Sequence, residues 1–193
     1  MLKEVSPIRE KRNMDIGRGR KAKPLAGEPL WQYALRALAG RALSTGELRL
    51  RLRRRAEQPS EADTVIARLK DLGFLDDKRL AESYATARLE NQGFGRGRVL
   101  RDLRQRRVAP GLAEKAVQSA FQGSDEIALI EQFLARKYRK VALPEFLGEP
   151  RNLASAFRRL RYAGFTSSNA IRVLKRYSEQ AENLEAAGEE DKL

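Results

Sequence analysis

Leu48-Arg49-Leu50-Arg51-Leu52-Arg53-Arg54-Arg55, residues 48–55, decides the fold, because its frame occurs three times in the chain. Leu48, Leu52 and Arg55 match Val99, Leu103 and Arg106 at a shift of 51 residues. The frame returns 57 residues later as Ala156, Leu160 and Ala163, followed by Gly164-Phe165, with Phe165 in the place of Val108. Apolar residues four apart share one helix face, so each copy predicts a helix with a buried stripe. An amphipathic helix precedes each copy and another follows it, over Pro59–Gly73, Pro110–Phe121 and Ser167–Tyr177. The chain therefore reads as all-α: three tandem three-helix repeats stacked into a curved, elongated, solenoid-like molecule, since one such unit cannot bury its face alone. Two helix diameters per unit, roughly 15–20 Å, give a body of about 50 Å.

Local signals place the helices. Leu30, Trp31, Ala34, Leu35 and Leu38 recur at helical spacing after Pro29 and stop at Gly40. Ser44-Thr45-Gly46-Glu47 predicts a capping box ahead of Leu48. Val65, Ile66, Leu69 and Leu72 form the next stripe, with Gly73 as its stop. Asp76 or Asp77 is expected to cap a fourth helix whose stripe is Leu80, Tyr84 and Ala87. The fifth follows Gly93-Phe94-Gly95, and the sixth carries Leu112, Ala116, Val117 and Phe121. Pro144, Gly148 and Pro150 mark an insertion in the third repeat that forbids a continuous helix. Expected boundaries are 29–75, 76–122 and 123–177 for the repeats. Residues 1–28 read as a disordered basic arm, and 178–193 as an acidic tail, helical at its start, without a core-sized apolar face.

The chain has 193 residues, 39 Lys+Arg against 26 Asp+Glu, a formal net charge of +13, and no His or Cys. Disulfides, Cys/His zinc sites, thiol nucleophiles and imidazole bases are thereby excluded. Among the cations 28 are Arg and 11 Lys, a lean toward the planar fork that suits phosphate and carboxylate. The expectation is a basic binding protein without cofactor or metal, not an enzyme. No run of about 18 apolar residues predicts a membrane span, and no signal peptide is visible, so an intracellular, cytoplasmic location is expected.

Gly73-Phe74-Leu75-Asp76-Asp77-Lys78-Arg79-Leu80-Ala81-Glu82-Ser83-Tyr84 resembles the signature of the RecX regulators of bacterial RecA recombinase. The run Gly93-Phe94-Gly95-Arg96-Gly97-Arg98-Val99, then Leu103 and Arg106, is similar to a second segment of that family. Two departures are Gly97, where proline is frequent nearby, and Arg107, where the family usually has glycine. The resemblance covers about residues 30–177 and leaves both tails outside. It implies an all-α, three-repeat, curved monomer that binds RecA filaments and DNA, single- and double-stranded. It further implies that ATP hydrolysis and strand exchange are suppressed and filament disassembly favoured.

Three basic clusters are the candidate contacts. Arg49, Arg53 and Arg54 lie outward on the helix of Leu48 and Leu52, where Glu47 is the only acid, so their mutual repulsion argues against a purely structural role. Arg96, Arg98, Arg101 and Arg104 follow the Gly93-Phe94-Gly95 turn, with Asp102 the only interruption. Arg106 stands nearer the inward edge, where it can pack its stem or pair a carboxylate. Arg158, Arg159, Arg161, Arg172, Lys175 and Arg176, with Arg136, Lys137, Arg139 and Lys140, make a third cluster whose convergence the sequence leaves open. Asp76-Asp77 is a close acidic pair, read as a cap rather than a metal or catalytic site. Most aromatics, Phe74 among them, fall on apolar stripes, while Phe94 and Tyr162 are available to stack on bases. The competing reading is a stand-alone, sequence-nonspecific DNA-binding or transcriptional factor.

Overall fold

The computed structural model describes residues 23–184, and the basic residues up to Ala22 and the acidic ones from Glu185 lie outside the described residues. The first repeat is α1 (Gly27–Gly40), α2 (Thr45–Arg53) and α3 (Pro59–Asp71). The second is α4 (Asp77–Ala87), prolonged by a π-helical turn at Arg88–Gln92, then α5 (Arg96–Gln105) and α6 (Pro110–Ala120). The third is α7 (Glu126–Lys137), the short α8 (Leu143–Gly148), α9 (Pro150–Ala163) and α10 (Ser167–Leu174), closed by a 3-10 turn at Glu179–Asn183. Among the described residues the fold is an all-α helical repeat with no strand, only an isolated parallel bridge between Leu25 and Ala56.

Each repeat has its own apolar cluster, and the frame of the middle helix supplies its centre. Leu48, Val99 and Ala156 are fully buried, as are Leu52, Leu103 and Leu160. Val108 and Phe165 are buried at matching corners. Ser44 accepts from the Glu47 N–H while the Glu47 carboxylate accepts from the Ser44 N–H, which is the expected capping box. Leu147 of α8 is fully buried, so the insertion of the third repeat packs onto the core.

Four expectations need correction. The buried stripe of α4 is Ala81 and Ala85, with Leu80 and Tyr84 only half-buried and Ala87 exposed. Small side chains there allow α4 to lie close on α6, where Ala113 and Ala116 share the cluster. Phe74 is exposed, as is Leu72, because the turn at Gly73 directs the chain to Leu75 as the buried residue. The tail is not devoid of core residues, since Ala181 and Leu184 join the third cluster. Within the expected arm, Gly27 and Glu28 open α1, and Leu25 docks on the end of α2. Its N–H donates to the Arg55 carbonyl at 2.7 Å, and its carbonyl accepts from the Glu57 N–H at 2.9 Å.

The repeats meet at two seams of one design. The N-terminus of a middle helix sits on the corner that ends the middle helix of the next repeat. At the first seam the Ser44 hydroxyl donates to the Arg106 carbonyl, and Gly46 faces Arg107 so closely that a Cβ would stand 2.5 Å from that of Arg107. At the second the Gly95 N–H donates to the Ala163 carbonyl at 2.9 Å, and the Gly97 N–H to the Gly164 carbonyl at 3.0 Å. Both corners are left-handed, Gly164 at φ 94° and Arg107 at φ 59°. Arg107 thus keeps a turn that usually asks for glycine, closed by the Val108 N–H on the Leu103 carbonyl just as Phe165 closes on Leu160. The docked Leu25 fills the equivalent place at Arg55-Ala56, so the arm's end caps the first repeat as a neighbouring repeat would.

Candidate nucleic-acid and partner interface

The first basic cluster is partly neutralised by a residue of another helix. Asp63 of α3 receives Arg49 Nε on one oxygen and Arg53 Nη2 on the other, both at 2.9 Å. The Arg53 hydrogen bond, with Arg49, holds the Asp63 carboxyl below the usual carboxylate range. Repulsion on α2 is therefore relieved from α3, and the sequence argument from unpaired charge does not apply to Arg49 and Arg53. Both stay about half-exposed with donors to spare. Arg54 is exposed, and no carboxylate among the described residues pairs with it. Arg55 lies 5.4 Å over the Tyr33 ring and donates to the Lys23 carbonyl.

The second cluster is divided by the seams. Arg96 folds back to the Phe121 carbonyl at 2.8 Å, and Arg104 pairs with Glu114 at 3.3 Å. Arg98 pairs with Asp102 at 2.9 Å and lies between two rings, 5.6 Å from Phe94 and 4.5 Å from Tyr162. Arg101 donates to the Tyr162 carbonyl at 3.0 Å. Arg106 crosses the first seam to Glu47 at 3.2 Å and the Ala42 carbonyl at 2.7 Å, and lies over the Tyr84 ring. Asp102, to the sequence a mere interruption, is buried and also accepts from the Tyr84 hydroxyl at 3.1 Å. Burial together with Asp102 pushes that phenol up.

The third cluster converges only in part. Arg136, Lys137 and Arg159 line one groove at the second seam, which Arg158, Lys175 and Arg176 do not line. Arg136 donates across the seam to the Asn91 carbonyl at 2.9 Å. Arg159 lies 5.8 Å over Tyr138. Arg158 is exposed, Lys175 pairs with Glu182 and Arg176 with Glu131. The acidic pair has two structural duties: Asp76 caps α4 through the Arg79 N–H, and Asp77 accepts the Thr45 N–H from the first repeat. Glu126 ties α7 to the start of α10, accepting from Thr166 and Asn169. The contacts of Asp63 with Arg49 and Arg53, of Asp77 with Thr45, of Asp102 with Tyr84 and of Glu126 with Thr166 and Asn169 had no sequence signal, because each of these partners is brought by another segment.

Burial pushes the Glu47 carboxyl up, but the Ser44 N–H, Arg41 and Arg106 outweigh it and hold it below its usual value. Burial likewise opposes, and Thr166 with Asn169 overcomes, at Glu126. A carboxylate with a lowered folded pKa adds stability above its unfolded pKa and loses it as pH falls through the folded one. Urea midpoints should therefore drop below about pH 4.5. Glu47→Gln should flatten that acid limb, and an unchanged limb would refute a role for Glu47.

Two family models match the chain, the first three-helix domain of RecX over residues 31–69 and the second over 76–117. Regulatory protein RecX of Halorhodospira halophila is 32% identical over 145 residues, covering 74% of this chain and 84% of that protein. The chain belongs to the RecX family. Regulatory protein RecX of Deinococcus radiodurans is also 32% identical, over 73% of this chain and 64% of its own length. The crystal structure of RecX from Lactobacillus salivarius superposes with a TM-score of 0.57 at 19% identity, over 77% of this chain and 94% of that one. A second RecX crystal structure gives 0.58 over 75% and 69%. The likeness of fold thus covers about three quarters of this chain, and among the described residues no helix is long and apolar enough to cross a membrane.

Proposed function

We propose that this chain is a non-enzymatic regulator of a RecA-type recombinase, binding in the groove of the recombinase–DNA filament and suppressing ATP hydrolysis and strand exchange. The observation that carries the reading is that the two RecX domain matches, 31–69 and 76–117, are the segments bearing Arg49, Arg53, Arg54, Arg96, Arg98, Arg101 and Arg104. A stack of rigid repeats offers several such contacts at fixed spacing, which suits a helical filament better than an isolated partner. Occupying the groove opposes the subunit motion that turnover requires and favours disassembly. Exposed arginines would reach the filament's acidic surface and its DNA.

The recombinase's DNA-dependent ATPase, measured with and without the protein, tests this. Turnover should fall steeply as the protein approaches the recombinase concentration, and no inhibition at several-fold molar excess overturns the reading. Arg54→Glu should weaken inhibition without loss of fold, because Arg54 is exposed and outside the Asp63 pair. A stand-alone DNA-binding factor would instead bind DNA with a steep salt dependence and leave the ATPase unchanged.

A further inference from the structure

A groove of about 510 Å³ opens at the seam between the second and third repeats. Phe94 and Phe133 give it an apolar floor, Arg136, Lys137 and Arg159 line it with positive charge, and Tyr162 forms one wall. No carboxylate belongs to its lining. At other places on the basic surface Asp63, Glu114, Glu131 and Glu182 answer nearby cations. Tyr162 is 69% exposed, an unusual position for a large ring one residue from a buried helix end. It is nevertheless held in place. Its carbonyl accepts from Arg101 across the seam, and the guanidinium of Arg98, itself pinned by Asp102, lies 4.5 Å from its ring centroid.

We infer that this groove is a binding site for single-stranded nucleic acid, one base stacking on Tyr162 while the flanking phosphates meet Arg136, Lys137 and Arg159. A fixed aromatic face beside cations without carboxylates matches a base and its phosphates, since stacking supplies sequence-tolerant affinity and the cations follow the backbone. The charge alone would suit any polyanion. The ring selects one with a flat unpaired base, because a base inside a duplex already stacks on its neighbours and must first be extruded. The inference rests on the DNA-binding part of the proposed function and gives it an address.

The test uses the full chain without recombinase and fluorescence anisotropy on three probes of equal length: oligodeoxythymidylate, an abasic deoxyribose-phosphate strand, and a duplex. Tyr162→Ala should lose about tenfold affinity for oligodeoxythymidylate, and Tyr162→Phe should keep it. On the abasic strand all three proteins should bind alike. Lys137→Gln with Arg159→Gln should lower the salt slope by about 1.4, two phosphate contacts on a single strand. Helical circular dichroism establishes that each variant is folded. Equal binding of oligodeoxythymidylate by wild type and Tyr162→Ala overturns the site, as does a loss of the same size on the abasic strand. An affinity for polyglutamate that depends on Tyr162, with oligodeoxythymidylate unaffected, overturns it in favour of an acidic peptide. If the wild type binds no single strand at all, DNA binding itself fails. If it binds but does not inhibit the recombinase, only the recombinase reading fails.

Discussion

Gly164→Ala should destabilise the protein by about 3 kcal/mol and lower its thermal midpoint by roughly 6–12 °C. Two costs combine at this corner. Its φ of 94° lies where an L-residue is strained, worth about 1–3 kcal/mol. A Cβ there would also stand 2.6 Å from the Arg98 Cβ, so the first turn of α5 must move away. That displacement would lengthen the bonds from the Gly95 and Gly97 N–H groups to the Ala163 and Gly164 carbonyls, the backbone joint between the second and third repeats. Thermal melting by circular dichroism reads the effect, and a shift of less than about 2 °C would mean that the joint tolerates a side chain. Arg107→Gly is the reverse exchange at the equivalent corner. It relieves a left-handed arginine at φ 59° and should stabilise by about 0.5–1 kcal/mol.

Arg106→Ala should cost about 2 kcal/mol in urea unfolding, the second-largest effect expected. Its side chain is 18% exposed and that of Glu47 15%, so solvent screens the pair only weakly. Removing the guanidinium leaves the Ala42 carbonyl without its donor and strips Glu47 of one of two arginines. Glu47 keeps Arg41 and the Ser44 N–H, which is why the loss stays below that of an orphaned buried charge. Arg106→Lys should recover only part of it, because an ammonium cannot spread across carboxylate, carbonyl and Tyr84 ring as the planar fork does. A double-mutant cycle with Glu47→Gln should return a coupling of about 1 kcal/mol, and a coupling near zero would place the seam's strength elsewhere.

These two positions mark the line between what can be read along the chain and what cannot. The frame of Leu48 and Leu52, Val99 and Leu103, Ala156 and Leu160 was visible because burial repeats with the helical period, and periodicity is a property of one segment. Ser44 and Glu47 were legible as a cap for the same reason, since both partners lie within one turn. The α4 stripe was misplaced by one position. There close packing on α6 favoured alanine over the larger side chains, and hydrophobicity alone ranks those the other way.

The arginines show the limit more sharply. Counting charge along residues 45–55 finds only Glu47 to oppose five arginines, yet Asp63 answers two of them from α3. Along α5, Asp102 looked like an interruption and is a buried acceptor for Tyr84 and Arg98. Arg98 stands four residues before Asp102 on the same helix, but Asp63 for α2 and Tyr84 for α5 come from other helices, and nothing within either segment reports those two.

By itself, then, the sequence determined an all-α repeat, its caps and stops and its basic character, consequences of local periodicity, local backbone chemistry and composition, while the residues of 73–84 and 93–106 carried its RecX likeness. Only the tertiary structure decided which cations are tied up in seams and ion pairs and which converge beside Tyr162, because charge pairing depends on distances across a fold that no single helix encodes.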